Sequence, residues 1–229
     1  MTAASIEQAV GFVDRLEPAT RGKLLALGRH RRFAAHATVL FEGDRPLDVV
    51  VVHSGIVKVT TNIDGREVVL DILGAGDIAG ELAALDGRVR SASIVAMTPA
   101  AVDIIPAEAF ISFLAARPDV AMTLLRCMST RLRDASRRQV EYGALDAVGR
   151  VCRRLVELMG RYGQPAGGGG GVRIDAPLTQ RDIAAWAGLS REAVVKALQS
   201  LRRLGWVATT PRGICVLDVA AVTSRASVR

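Results

Sequence analysis

Apolar side chains recur over the first thirty residues at Ile6, Val10, Val13, Leu16, Leu24, Leu25 and Leu27. That spacing predicts short helices over residues 5–30, broken at Pro18. From Arg32 to about Ile105 the texture changes. Short Val- and Ile-rich runs alternate with turn signals at residues 42–44 (EGD), 54–55 (SG), 64–65 (DG), 74–77 (GAGD) and 86–87 (DG). Short strands at this turn spacing predict an antiparallel sandwich or barrel. IVKVTTNIDGREVVLDIL reads as the clearest hairpin, with Asp64 and Gly65 at its tip.

After Pro106 the period becomes helical. Ala121, Leu125, Met128, Leu132, Ala135, Gln139 and Tyr142 alternate spacings of four and three. This is a coiled-coil seam on a long helix over residues 118–142, and such a seam predicts dimerisation or packing on the chain's own domain. A second helix is expected over residues 145–161. GQPAGGGGGV, at residues 163–172, then predicts a flexible loop, because five successive glycines hold no regular element. VRIDAPL (172–178) looks extended. The remainder reads as helix, turn, helix and a short hairpin over residues 206–217, turning at 211–213.

The helix pair carries the most local detail. Thr179 is an N-cap candidate, with Asp182 three residues on. Ile183, Ala184 and Ala187 form one apolar face, Gly188 supplies the turn, Leu189 plugs between the helices, and Ser190 caps the second. Val194, Leu198 and Leu201 then face inward. Two short helices joined this way form a helix-turn-helix, whose second helix enters the DNA major groove. Its exposed start offers Arg191, Glu192 and Lys196. Arg and Lys suit guanine, and Glu accepts from cytosine. Thr179, Gln180 and Ser190 flank this surface. Arg202, Arg203 and Arg212 are expected on phosphates. The competing reading is a helical hairpin with a solvated charged face.

A second constellation lies in GDIAGELAALDGRVRSASIVA (76–96). Gly80 permits close backbone approach, Glu81 brings a carboxylate, and residues 81–85 can form one helical turn with N–H groups aimed at an anion. Arg90 and Ser91 are expected to return on the following strand. A carboxylate for a ribose hydroxyl and a guanidinium, hydroxyl and amides for a phosphate suit a phosphorylated sugar. The spacing Glu-x8-Arg-Ser by itself equally fits a surface Glu–Arg pair.

Composition narrows the partners. The chain has 229 residues, half of them apolar, only 4% aromatic, and a net charge of +7; its sequence pI is about 10.1. A basic chain suggests nucleic acid or a membrane surface. No apolar stretch reaches the roughly 18 residues of a membrane span, and the N-terminus lacks the pattern of a signal peptide. A cytoplasmic protein is expected. Cys127, Cys152 and Cys215 are far apart and odd in number, which argues against a disulfide framework or a zinc or iron–sulfur site; Cys127 and Cys152 read as small core residues. His30, His36 and His53 read as isolated surface or strand residues, so neither haem nor another metal is expected. No nucleophile–base pair or P-loop ending marks an enzyme, and no kinase or channel segment is expected.

Taken together, VLFEGDRPLDVVVVHSGIVKV (39–59), GDIAGELAALDGRVRSAS (76–93) and LTQRDIAAWAGLSREAVVKAL (178–198) resemble the CRP/FNR family in sequence, order and separation. The resemblance covers nearly the whole chain. It implies an α+β architecture: a β-roll sensor (residues 1–116), a central dimerisation helix (117–144) and a winged helix-turn-helix (145–229). It implies a homodimer on double-stranded DNA with a palindromic operator, and RNA polymerase as a further partner. It places a cyclic AMP pocket on Gly80, Glu81, Leu82, Arg90 and Ser91, with Glu81 on the ribose and Arg90 and Ser91 on the cyclic phosphate. The Thr-Ser pair that cyclic-AMP-binding members set against the adenine falls on Ala135 and Ser136, so the Thr is missing. A half-site resembling GTGA is implied, with Lys196 in place of an Arg and Ala193 where Thr is common. The alternatives keep the architecture but change the input: constitutive DNA binding, cyclic GMP or another small acid.

Overall fold

The computed structural model describes residues 10–45, 47–166, 171–210 and 213–227. These divide into two compact units, residues 10–133 and 134–227.

The first unit opens with a 3₁₀ turn, Val13–Arg15, and helix α1, Pro18–Leu25. The two short helices are separated at Pro18, as expected. Pro18 begins the second, at the position where its missing N–H costs nothing, while the Glu17 carboxylate caps Thr20. The helical reading to residue 30 is also too long. Strand β1, Arg29–Phe33, already contains His30, because its backbone pairs with β8, Ala100–Pro106. Ile6 lies outside the described residues.

Eight strands form two four-stranded antiparallel sheets. The remaining six are β2 (Thr38–Leu40), β3 (Asp48–Ser54), β4 (Val57–Ile63), β5 (Arg66–Leu73), β6 (Ile78–Ala79) and β7 (Ser93–Ala96). One sheet runs β1-β8-β3-β6 and the other β2-β7-β4-β5. Side chains alternate across a strand, and β3 uses both directions. Val52 packs between the sheets with Val57, Leu73, Ile94 and Ala96. Val49 and Val51 pack outward against Phe12, Leu24, Phe110 and Leu124. The unbroken valine run Val49–Val52 follows, since both faces of that strand are covered. The β4–β5 hairpin turns as expected on Asp64 (φ 51°) and Gly65 (φ 77°), the left-handed pair that a two-residue connection requires.

Helix α2, Glu81–Asp86, interrupts the strands. Helix α3, Ala107–Ala116, follows β8, and the long helix α4, Pro118–Ala144, comes next. Its exposed apolar residues include Leu125, at 53% exposure, and Leu132, at 69%, one heptad apart.

In the second unit, the Asp146 carboxylate accepts from the Gly149 N–H at 2.8 Å and caps α5, Ala147–Tyr162. That hydrogen bond and the Arg225 guanidinium hold the Asp146 carboxyl below its usual range. Gly163–Pro165 is not part of a loop, as its glycine suggests, but a strand, β9, paired with β10, Val172–Ile174. The glycines at 167–170 lie outside the described residues. Helices α6 (Gln180–Ala187) and α7 (Arg191–Arg203) are followed by β11 (Val207–Thr210), β12 (Gly213–Val216) and α8 (Val219–Arg225), completing a sheet of order β11-β12-β10-β9. Cys152, on the buried face of α5, is fully covered, and burial pushes its thiol up to about 11.

Arg154, 2% exposed, is the largest fully buried side chain among the described residues. It donates to Glu141 on α4, pairs with Glu157 at 3.1 Å, and lies over the Trp186 ring at 5.2 Å. Arg153 reaches the same Glu141 at 3.1 Å. Burial lowers the Arg154 pKa and raises that of Glu157, and each opposes the other's shift. Removing one member of a buried ion pair strands the other. Glu141→Gln is therefore expected to lower the stability of this unit by about 3 kcal/mol. Both tryptophans, Trp186 and Trp206, lie in this unit, so urea denaturation followed by their fluorescence measures it directly.

Candidate functional site

In the first unit the site is built around Gly80. Its φ of 80° starts α2, and an added Cβ would sit 2.7 Å from Arg90 Nη1. The absence of a side chain here is therefore steric as well as conformational. Arg90 is only 5% exposed. Its Nη2 donates to the Asp48 carbonyl at 2.7 Å, while Nη1 is buried and meets no acceptor among the described residues. Burial lowers the guanidinium pKa, and Asp48 and Asp44 pull it back upward. The EGD turn is stitched to the same residue: Gly43 N–H donates to the Arg90 carbonyl, and the Arg90 N–H donates to that of Asp44, both at 2.9 Å.

Glu81 is also buried, at 4% exposure, so a surface Glu–Arg pair is ruled out for Glu81 and Arg90. Each has another partner. Glu81 accepts from Arg131 Nη1 at 2.8 Å, and Arg131 Nη2 donates to the Ile78 carbonyl at 2.6 Å. Arg131, fifty residues downstream on α4, was missed in the sequence because no local pattern links it to Glu81. Arg90 and Ser91 do not lie on a strand, as expected, but in the loop before β7, where Arg90 pairs with the EGD turn instead of a sheet neighbour. Ser91 and Leu82 are exposed. It is Ser93, two residues on, whose Oγ accepts from the Glu42 N–H at 2.9 Å. Ser136 stands exposed on α4, in the unit that begins at Asp134.

In the second unit, Thr179 and Asp182 form a complete capping box, and Ser190 accepts from the Ala193 N–H at 3.2 Å. Gly188 takes φ 62° between the helices. Ile183, Ala184, Ala187, Val194, Leu198 and Leu201 are buried as expected, and Leu189 is half-buried. Trp186, buried among them, was not singled out in the sequence. Tyr142, the last residue of the seam, lies against the turn of its own unit: a Cβ on Gly188 would meet its ring at 2.6 Å. Arg150 stacks on that ring at 5.6 Å and donates to the Gly188 carbonyl at 3.2 Å. Thr179, Gln180, Ser190, Arg191, Glu192 and Lys196 are all exposed. The Glu192 backbone N–H and the Ser190 hydroxyl hold the Glu192 carboxyl below its usual range, so it stands ionised at the start of α7. Arg202 donates to Thr209 at 3.0 Å, tying α7 to the hairpin. Arg212 lies outside the described residues.

Two separate families match the chain: the cyclic nucleotide-binding domain over residues 30–117 and the Crp-like helix-turn-helix domain over residues 149–224. A CRP-like cAMP-activated global transcriptional regulator from Mycobacterium tuberculosis is 31% identical, with 94% of this chain and 96% of that protein aligned. The chain belongs to the CRP/FNR family.

The cAMP-activated global transcriptional regulator Vfr from Pseudomonas aeruginosa is likewise 31% identical, over 81% of this chain and 87% of its own. Among solved structures, a CRP-family transcriptional regulator from Thermus thermophilus superposes with a TM-score of 0.72 at 26% identity, covering 87% of this chain and 98% of the other. The protein is a DNA-binding transcription regulator with a cyclic nucleotide-binding domain; its CRP/FNR relatives are regulators, not enzymes. No helix among the described residues is long and apolar enough to cross a membrane.

The Glu81–Arg131 pair is expected to stabilise the first unit. Arg131→Met strands a buried carboxylate and should lower stability by about 2 kcal/mol, discounted because Arg131 is partly exposed. Circular dichroism of the strands during denaturation would register this, with the tryptophan transition of the other unit unchanged.

Proposed function

We propose that this CRP/FNR regulator is a homodimer that binds a two-fold-symmetric operator and is controlled by cyclic AMP held in the first unit. The observation that carries the effector reading is the buried Arg90 Nη1, a donor with no acceptor among the described residues, set against the Cβ-free edge of Gly80. A buried charged donor is stabilised by an anionic acceptor, and a cyclic phosphate is the anion that the family's ligand brings. Gly80, Leu82 and the amides opening α2 would shape the wall, and Arg90 with Ser91 would take the phosphate. Glu81 would accept from the ribose while Arg131 holds it in place. Ser136 enters this proposal on the family resemblance alone. The activation of two relatives by cyclic AMP, stated in their names, supports the choice of nucleotide.

The dimer reading rests on Leu125 and Leu132, large apolar side chains left exposed on one heptad period. The operator reading rests on Arg191, Glu192 and Lys196 at the exposed start of α7, where such residues reach base edges. An effector can shift the DNA-competent population only by its differential affinity for the two states.

Calorimetry should show cyclic AMP binding to the wild type, weakened at least tenfold in Arg90→Leu, as loss of a charge-assisted contact implies. Undiminished binding in Arg90→Leu would overturn the Arg90 site, and no binding to the wild type would remove cyclic AMP and leave cyclic GMP, another small acid or constitutive activity.

Footprinting should reveal two half-sites centred about one DNA turn apart. Arg191→Ala and Glu192→Ala should each cost about 1–3 kcal/mol of discrimination. Unchanged operator preference in both variants would overturn the assignment of α7.

A further inference from the structure

We infer that the first unit carries a divalent transition-metal site formed by His30, His53 and Asp103. The histidines are 23 positions apart and read as unrelated in the sequence, but the strand register brings both to one carboxylate. Strand β8 lies between β1 and β3. Asp103 on β8 directly faces His30 on β1. On the other side, Val52 faces Val102 and Ser54 faces Ala101, so a β-bulge leaves His53 as the extra residue. A bulge re-aims the side chain it carries, and His53 here reaches Asp103.

The resulting geometry suits an ion. His30 Nδ1 lies 3.0 Å from Asp103 Oδ1, and His53 Nδ1 lies 3.7 Å from Oδ2. All three donor atoms fall within 4.8 Å of one another. Donors about 2.1 Å from a tetrahedral ion stand about 3.4 Å apart, within the range spanned by these contacts. The two imidazoles meet edge to face at 5.2 Å. Asp103 is 12% exposed at its side chain, while His30 and His53 are 45% and 56% exposed. The site therefore has a sunken anionic base and a rim reachable from solvent, along a shallow depression that also includes Phe33, Ser54 and Ala101.

Two imidazoles and one carboxylate favour zinc and its first-row neighbours over magnesium or calcium, which prefer oxygen alone. Three protein donors leave one tetrahedral position for water or an external ligand. Arg32, two residues along β1 from His30, opposes a cation, so the site should bind more weakly than a four-ligand structural zinc centre. Asp48, which holds Arg90, begins the same strand that ends beside His53. The metal site and the nucleotide pocket are therefore separate.

The test uses the full-length protein, freed of metal with a chelator and titrated with Zn²⁺ by calorimetry and with Co²⁺ by visible absorption. One ion per chain is expected, with a Co²⁺ spectrum of nitrogen and oxygen ligation. His53→Ala should weaken binding at least tenfold, and His30→Ala/His53→Ala should abolish it. Both side chains are about half exposed, so the fold should survive, and an unchanged denaturation curve would verify this. His36→Asn, at the third histidine, should bind as the wild type does; its φ of 69° is one that asparagine tolerates. No Zn²⁺ binding, stoichiometry retained in the double variant, or a cobalt spectrum with sulfur charge transfer would each overturn the inference.

Discussion

A guanidinium group cannot give up its charge inside a protein, so every N–H it buries needs an acceptor. Arg90 is buried, spends Nη2 on the Asp48 carbonyl, and presents Nη1 to the Cβ-free edge of Gly80. The surrounding structure depends on keeping it there. The EGD turn is hydrogen-bonded to its backbone on both sides. Gly80 takes a left-handed conformation that starts α2 without filling the space. Asp44 and Asp48 offset part of the desolvation. A buried donor held this way would meet an anionic ligand with little reorganisation left for binding to drive.

The carboxylate beside it is held differently. Glu81 is closed off by Arg131, which also donates to the Ile78 carbonyl just before Gly80. One residue of α4 thus fixes both the backbone entering the site and the acid within it. A ligand that engaged Glu81 would share it with Arg131, and one side chain would then link α4 at this position to the ligand.

The same use of buried charge recurs in the DNA-binding unit. Arg154, over the Trp186 ring, joins α5 to α4 through Glu141 and pairs with Glu157 on its own helix, while Tyr142 and Arg150 brace the Gly188 turn. The end of α4 is therefore part of the packing that supports the helix-turn-helix. That packing keeps Ser190, Arg191, Glu192 and Lys196 outward, because the opposite face of α7 is committed to Val194, Leu198 and Leu201.

Some of this is local, and the sequence alone determined it. The Asp64–Gly65 turn, the caps at Thr179 and Ser190, the Gly188 link, the buried face of α7 and the long period of α4 each depend on residues a few positions apart, and short-range sterics and hydrogen bonds settle them. The Gly80-Glu81 turn and Arg90 were visible as a motif for the same reason. Only the tertiary structure decided what Glu81 pairs with, that Arg90 lies in a loop, that Gly163–Pro165 joins a sheet, and that Tyr142 faces the turn. It also decided that His30, His53 and Asp103 meet. Strand order and register bring together groups such as His30 and Asp103, 73 residues apart, and no pattern with a period of two or 3.6 residues records which distant strand will lie alongside.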